Sequence, residues 1–364
     1  MDSERERLLR AGLWMVRGVS SRAIDSLAAS PRGLAAALGD RAELARLLGL
    51  GEAAGTELAR APADLAGWAR ALEQALAKRG GRFVWRGDAD YPDLGALPDP
   101  PEVFTVRGTL RGSGARPLVA VIGSRRVDVG ALRLARAFGA ALGRAGCTVV
   151  SGGALGIDAA AHEGALDAGG HTVAVLGSGL LRPQPMRNRD LFARILAAGG
   201  ALCGELPPDA GAMKWHFPRR NRLVAALASA VVVVRAGAGS GCTYTVEAAQ
   251  RLERRVFVVP SAGLGTRGAY GEWLLGQDGV APVPDPPALL EALGLGASRR
   301  TAPPGLEPDE RQVLDALLAS EAGGVPLAAL AAAAGLEPGA ASRILARLCG
   351  RGLARAAGPG RFAA

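Results

Sequence analysis

The sequence predicts an α/β protein organised around a doubly wound parallel sheet, and two observations carry this prediction. From residue 118 onward, short Val-rich apolar runs alternate with amphipathic helical stretches, which is typical of a parallel sheet with helices on both faces. Glycine-rich loops follow four of the apolar runs, at the edge where such sheets bind ligands. We therefore look for the function of the chain in these loops.

The elements of the sheet domain can be placed in order along the chain. A connector over 80–112 is punctuated by prolines that argue against helix, and it contains one short predicted strand at 103–106. Buried strands are predicted at 118–122, 147–150, 172–176, 201–203, 231–234 and 256–259. Helices are predicted between them at 130–144, 158–168, 188–198, 219–228 and 243–252.

Two further segments flank the sheet domain. Residues 1–78 form short Ala- and Leu-rich helical patterns, which fit a helix-hairpin-helix or sterile-alpha-motif-like module and fit a generic helical bundle at least as well. Three helical patterns at 309–318, 327–334 and 340–348, followed by a hairpin pattern beyond residue 350, predict a winged-helix-like module. The predicted domains are 1–78, 79–281 and 305–364, with a Pro- and Ala-rich linker over 282–304.

Composition restricts the function classes. The 364 residues are 49% hydrophobic and 21% charged, as in a soluble globular protein. The net charge of +9, from 43 basic and 34 acidic residues, favours a polyanionic partner. Four scattered cysteines and three histidines predict neither a disulfide framework nor a metal site. A charged N-terminus and the lack of a long apolar run predict a cytoplasmic protein with no membrane partner.

The most distinctive segment is KWHFPRRNR at 214–222, which leads into an apolar helical run. Pro218 suits a helix start, so the arginines after it fall on the first turn, where unpaired N–H groups and a partial positive charge attract anions. A solvated charged face is the general alternative for a basic cluster. The neighbouring loops favour phosphate binding over a solvated face. Arg125 and Arg126 follow the first parallel strand, beside glycines that let backbone N–H groups approach a ligand.

Other polar side chains of these loops have structural interpretations. Asp158 is predicted to be an N-cap, and His162 to be a structural histidine. His216 either orders the arginine loop through hydrogen bonds or meets a phosphate. Trp215 is either a hydrophobic anchor or a stacking surface.

Several motifs, taken together, resemble the DNA-processing protein A (DprA/Smf) family of bacterial recombination mediators in natural transformation. They are VIGSR at 121–125, SG at 151–152, GIDAAAH at 156–162, AVLG at 174–177, HFPRRNR at 216–222, VFVVP at 256–260, the connector at 91–108, and Ser240, Gly241 and Thr245. They lie in order and at the expected spacing over residues 80 to 280.

The resemblance implies an extended Rossmann-like fold that dimerises, binds and protects single-stranded DNA, and loads the RecA recombinase. It implies no catalytic residue, no cofactor and no metal. Arg125, Arg219, Arg220 and Arg222 would then contact the backbone, with Lys214 reaching a further phosphate and Phe217 stacking on a base. The implied nucleic-acid-binding residues are Gly123, Ser124, Arg125, Lys214, Phe217, Arg219, Arg220, Asn221, Arg222 and Gly241.

An enzyme is the alternative interpretation. The segment GSGCTYTVE at 239–247 faintly resembles the phosphate loop of cytokinin-activating phosphoribohydrolases, in which a glutamate helps to cleave an N-glycosidic bond. Glu247 lies one residue further from Thr243 than that loop requires, and the Pro-Arg-rich partner motif of those enzymes is missing. A dinucleotide-dependent oxidoreductase is less favoured, because the first strand leads to Gly-Ser-Arg-Arg and not to G-x-G-x-x-G.

Overall fold

The chain divides into two compact units, Met1–Leu290 and Glu291–Ala364. The computed structural model describes residues 3–31, 33–94, 96–110, 117–261, 266, 268–295, 306–318, 325–351, 353–358 and 360–363. The predicted linker over 282–304 includes helix Pro286–Ala292, and its last nine residues lie outside this described part.

The first unit begins with five α-helices: α1 (Ser3–Met15), α2 (Ser21–Ala28), α3 (Arg41–Leu47), α4 (Glu52–Arg60) and α5 (Leu65–Ala77), with a 3-10 helix at Gly33–Leu38. Side chains of Ser20, Asp40 and Asp64 accept backbone N–H groups and so begin three of them. Their buried leucines belong to a hydrophobic core that continues into the α/β part through Phe192 and Leu202. The helices are therefore packed onto the sheet domain.

The sheet has nine strands among the described residues, in the order β1-β2-β6-β5-β4-β3-β7-β8-β9. The strands are β1 (Gly81–Trp85), β2 (Val103–Gly108), β3 (Leu118–Gly123), β4 (Thr148–Ser151), β5 (His171–Val175), β6 (Ala201–Gly204), β7 (Ala230–Arg235), β8 (Arg255–Val258) and β9 (Val280–Pro282). The helices are α6 (Val129–Arg144), α7 (Ile157–Asp167), α8 (Arg189–Ala197), α9 (His216–Leu227), α10 (Cys242–Arg251), α11 (Ala269–Leu275) and α12 (Pro286–Ala292).

Strands β3 to β9 are parallel, which confirms the doubly wound fold class. The apolar strands are buried on both faces, as in Val121, Val150 and Val232, because helices cover the sheet from both sides. The chain order reverses between β3 and β7, since β4, β5 and β6 lie on one side of β3 and β7 to β9 on the other. Ligands bind such sheets at this point.

The connector is more regular than its sequence predicts. β1 and β2 pair as an antiparallel hairpin, and β2 pairs antiparallel with β6, so the connector adds two strands to the sheet. β1 was not predicted, because a five-residue strand next to glycines and prolines has too little periodicity to be recognised. Strand β9 at the other edge spans three residues and was missed for the same reason.

The second unit contains α13 (Pro308–Leu318), α14 (Leu327–Ala333) and α15 (Pro338–Gly350), which agree with the three predicted helices within a few residues. Strands β10 (Val325–Pro326), β11 (Arg355–Gly358) and β12 (Arg361–Ala363) form a small antiparallel sheet in the order β10-β12-β11. Its winged-helix character stays a prediction. Over the described residues of both units, no helix combines the length and apolarity needed to span a membrane.

Candidate nucleic-acid interface

A pocket of about 550 Å³ opens at the reversal point of the sheet, between the carboxyl ends of β3 and β7. Its walls come from the loop after β3, the loop after β4, the start of α9 and the loop that leads into α10. Eight of the ten residues predicted to bind nucleic acid line it: Gly123, Ser124, Arg125, Lys214, Phe217, Arg220, Asn221 and Gly241. The topology therefore brings together segments that are more than 100 residues apart.

The loop that carries Arg125 is fixed by its neighbours. The Ser124 N–H donates to the Arg235 carbonyl at 2.8 Å, and the Gly237 N–H donates to Ser124 Oγ at 3.3 Å. Gly156, at φ +84°, lies so close that a Cβ there would stand 2.5 Å from the Ser124 carbonyl oxygen and 2.6 Å from that of Arg125. The backbone of the loop is thus held while the Arg125 side chain is exposed.

Arg125 and Phe217 meet at the mouth of the pocket. The Arg125 guanidinium carbon lies 4.6 Å from the centre of the Phe217 ring, a cation–π distance. The ring is half-buried, and a Cβ at Gly177 would stand 3.0 Å from it, so the edge of the ring packs tightly over this glycine. Lys214 lines the same pocket and is exposed, with no carboxylate partner among the described residues. The mouth therefore offers two accessible cations and an aromatic ring.

The helical period of α9 decides which of its side chains reach the pocket. Phe217, Arg220, Asn221 and Val224 follow the i, i+3, i+4, i+7 spacing of one helix face, and all four line the pocket. Arg219 and Arg222 are on another face of the same helix. Of the three arginines in HFPRRNR, only Arg220 faces the site.

Arg220 is buried and forms its hydrogen bonds within the protein. Its guanidinium donates to the carbonyls of Gly152 and Val175, and burial lowers its pKa to about 10. Asp158 beneath it accepts the N–H groups of Gly152 at 3.1 Å and Ala154 at 3.4 Å. Burial raises the pKa of Asp158, and the charge of Arg220 opposes that shift. The two buried side chains line the pocket, and each holds the loop after β4 through its backbone.

Arg219 and Arg222 bind Glu205, a buried carboxylate just after β6. Arg219 Nε lies 3.1 Å from Glu205 Oε1, and Arg222 pairs with Oε2. Arg219 also lies over the Trp14 ring at 5.0 Å, and Arg222 donates to the Asp99 carbonyl at 3.0 Å. Burial raises the pKa of Glu205, and the two arginines oppose that rise. These arginines join α9 to α1 and to the connector, and the structure does not bring them to the pocket.

The loop into α10 closes the remaining side. Asn221 Nδ2 donates to the Gly241 carbonyl at 3.0 Å, and Ser124 Oγ donates to Ser240 Oγ at 3.3 Å. Tyr244, which sequence analysis did not single out, lines the pocket and is 50% exposed. Its place in the first turn of α10, directly after the glycine loop, is the signal that identifies it.

Asp158 does not have its predicted role. Helix α7 begins at Ile157 with Gly156 as its N-cap, so Asp158 lies two positions too late to cap the helix. Its carboxylate caps the preceding loop instead.

His162 is buried and pairs through Nδ1 with Thr172 Oγ1 at 2.7 Å, and burial lowers its pKa to about 3. The burial of His162 fits its structural interpretation, although its buried Nε2 atom has no hydrogen-bond partner within the described part of the chain.

His216 and Trp215 are packed against their neighbours. The Met213 N–H donates to His216 Nδ1 at 3.2 Å, so this buried ring orders the loop before α9. Burial lowers the pKa of His216. Trp215 lies edge-on to His216 at 4.0 Å, and the Arg17 guanidinium covers its face at 4.4 Å. Of the two interpretations for Trp215, the anchor fits these contacts.

Glu247, the proposed catalytic residue of the alternative, lies on a different surface. It is exposed, faces Arg251 at 3.8 Å, and lines a separate depression with Tyr270 and Trp273. Asp158 is the one carboxylate that lines the pocket within the described part of the chain. No cluster of three or more metal-binding side chains occurs among the described residues.

Comparisons with known proteins agree with this architecture. The family model of DNA recombination-mediator protein A matches residues 82–290, more than half of the chain. Protein Smf of Escherichia coli K12 is 39% identical over 206 residues, which are 56% of this chain and 54% of that protein. The chain thus spans about half the length of this relative.

Two solved structures share the fold. DNA processing protein A from Streptococcus pneumoniae matches with a TM-score of 0.60 and 26% identity, over 80% of this chain and 98% of that chain. DNA processing protein A from Helicobacter pylori, whose structure was solved to describe its single-stranded DNA binding mode, matches with a TM-score of 0.52 and 26% identity, over 58% and 95%. The sheet, the pocket and the matched motifs together establish that this chain belongs to the DNA recombination-mediator protein A (DprA/Smf) family.

Proposed function

We propose that this protein binds single-stranded DNA in the pocket between β3 and β7 and acts as a recombination mediator. The observation that carries the proposal is the exposed Arg125 guanidinium lying 4.6 Å from the Phe217 ring, beside exposed Lys214, at the glycine-loop edge of the sheet. Binding of single strands without sequence preference needs a cationic groove and aromatic surfaces for bases. The pocket combines both.

Each part of the pocket has a distinct contribution. Arg125 and Lys214 bind phosphates, and the backbone around Gly123 and Gly241 allows the strand to come close. Phe217 and Tyr244 supply surfaces on which bases stack. The guanidinium of Arg220 is buried and donates hydrogen bonds to backbone carbonyls. It therefore shapes the site, and its positive charge attracts a bound phosphate without contacting it.

Arg219 and Arg222 differ from the other predicted binding residues. Both are paired with Glu205 and lie outside the residues that line the pocket. Binding of DNA by these two arginines stays a prediction from the sequence. Their contacts support a positioning role, in which the Glu205 pairs set the orientation of α9 and thereby of Phe217.

The wider role rests on family membership. Membership of the family supports the proposal that the protein is a cytoplasmic homodimer. In this role it protects incoming single strands during natural transformation and loads the RecA recombinase onto them. The single-stranded DNA binding mode described for the Helicobacter pylori protein, at 26% identity, supports single-stranded DNA as the ligand. A binding function without catalysis is supported by the position of Glu247, which does not line the pocket.

The proposal is tested by competition. Labelled oligo-dT is bound to the full chain and challenged with unlabelled oligo-dT, with duplex, and with a nucleoside monophosphate. We expect displacement by single strand and little displacement by duplex or the monophosphate. Displacement by the monophosphate together with its hydrolysis, lost in Glu247→Gln, would favour the phosphoribohydrolase alternative.

A further inference from the structure

A second groove adjoins the pocket and shares Arg125 with it. The groove has a volume of about 590 Å³ and lies between the N-terminal parts of α6 and α7. The residues that matter for its chemistry are Arg125, Arg126, Val129, Leu132, Arg133 and Arg136. We infer that the groove carries the DNA strand onward after it leaves the pocket, an inference that rests on the proposed function.

The charge of the groove favours a polyanion. Four arginines and one glutamate, Glu163, line it among the described residues. Arg136 is neutralised, since it pairs with Glu163 at 2.9 Å and also with Asp167. Arg126 and Arg133 are exposed, and neither has a carboxylate within ion-pair distance in the described part of the chain. Two accessible guanidinium groups therefore continue the positive surface of Arg125.

The geometry of α6 places these groups on one face. Val129, Leu132, Arg133 and Arg136 follow the i, i+3, i+4, i+7 spacing that aligns side chains along a helix. Val129 is 62% exposed, so the groove presents apolar surface beside its arginines. A DNA strand alternates phosphates with less polar sugar and base surface. Its phosphates match the arginines, and its less polar surface matches the exposed apolar part of the groove.

Continuity with the pocket selects the occupant. Arg125 belongs to the walls of both cavities, so one guanidinium lies where the two meet. A single nucleotide bound in the pocket would leave the groove unused, whereas a longer strand reaches both. The inference therefore concerns strand length: short oligonucleotides occupy the pocket alone, and longer ones use Arg126 and Arg133 as well.

The test compares two oligonucleotides on full-length variants. An oligo-dT of about 5 nucleotides, near the lower end of the site sizes of single-strand-binding folds, and one of about 20, beyond their upper end, are titrated by fluorescence anisotropy at several salt concentrations. For R126A/R133A we expect unchanged affinity for the short oligonucleotide and about tenfold weaker binding of the long one. Loss of two phosphate contacts also lowers the salt slope for the long oligonucleotide by about 1.4, at about 0.7 per single-strand contact.

R79A/R144A is the charge-matched control, because both arginines are exposed and neither lines the groove. Long-oligonucleotide binding by R126A/R133A that equals that of the control overturns the inference. Equal losses for both oligonucleotide lengths also overturn it, because the arginines would then act within the pocket. Failure of the wild-type chain to bind either oligonucleotide would instead remove the proposed function, so the two failures are distinguishable.

Discussion

The Arg125 guanidinium lies 4.6 Å from the centre of the Phe217 ring, which places the group proposed to bind phosphate on an aromatic face at the mouth of the pocket. The two residues are 92 positions apart and meet because β3 and α9 deliver them to one edge of the sheet. The ring orients the guanidinium, and the guanidinium covers part of the ring. A base that stacks on Phe217 therefore brings its own phosphate close to Arg125.

Phe217→Leu is expected to weaken oligo-dT binding by about tenfold, because base stacking on an aromatic side chain contributes about 1–3 kcal/mol and leucine has no π face. Phe217→Tyr keeps the ring and should bind within about twofold of the wild type. Fluorescence anisotropy measures both affinities, with circular dichroism as the check on folding. Equal affinity of the leucine variant and the wild type would contradict stacking at this position.

Arg219→Ala is expected to lower the free energy of unfolding by about 1–3 kcal/mol, because it leaves the buried Glu205 carboxylate with one partner fewer. Its affinity for oligo-dT should fall less than that of Arg125→Ala. Urea denaturation and anisotropy on the same two variants give the comparison. An Arg219→Ala protein that keeps its stability but binds as poorly as Arg125→Ala would show that Arg219 contacts DNA.

Gly156→Ala is expected to reduce both stability and DNA binding. Its Cβ would meet the Ser124 and Arg125 carbonyls at 2.5 and 2.6 Å, and its φ of +84° strains any other residue by about 1–3 kcal/mol. The binding loss follows because the loop that carries Arg125 must move. Gly169→Ala is the control, since φ there is +66° but no atom lies within 4 Å of the new Cβ. Both variants should lose stability in urea, and only Gly156→Ala should lose affinity.

His162 makes the stability depend on pH. Burial lowers its pKa to about 3 from the ordinary 6.5, so the unfolded chain binds a proton at this residue in a range where the folded chain does not. The stability is fully present above pH 6.5 and falls toward pH 3, by about 1.4 kcal/mol per pH unit inside that window. Urea denaturation between pH 7.5 and about 5.5 compares the wild type with His162→Gln. Parallel pH profiles of the two proteins would contradict this assignment.

The strands of the parallel sheet could be predicted from the sequence because their Val-rich runs are buried on both faces, and the six predicted strands agree with β3 to β8 within about two residues. The predicted strand at 103–106 is confirmed as β2, but β1 and its hairpin with β2 could not be predicted in this way. Its strands are short, and their place in the sheet is decided by pairing with β6, almost 100 residues further along the chain. Local periodicity contains no information about that partner.

In the candidate site, too, features set by the local sequence pattern were predicted, and features set by distant partners were not. Its glycine loops and Arg125 were found because a parallel sheet places all its carboxyl ends at one edge. The directions of Arg219 and Arg222 were not found, since they depend on Glu205 and Trp14, which are distant in sequence. The i, i+3 spacing from Phe217 would have predicted that Arg220 shares its helix face and that Arg219 and Arg222 do not. Tyr244 would have been found from its place in the first turn of α10, directly after the glycine loop.

The central claim is that DNA phosphates bind Arg125 in the pocket between β3 and β7. The most direct measurement is the affinity of oligo-dT for the wild type and for Arg125→Ala, by anisotropy across a range of salt concentrations, with Arg144→Ala as the charge-matched control. We expect about tenfold weaker binding for Arg125→Ala and a salt slope reduced by about 0.7, with the control unchanged. Identical affinity and slope for Arg125→Ala and the wild type, with the fold intact, would contradict the claim.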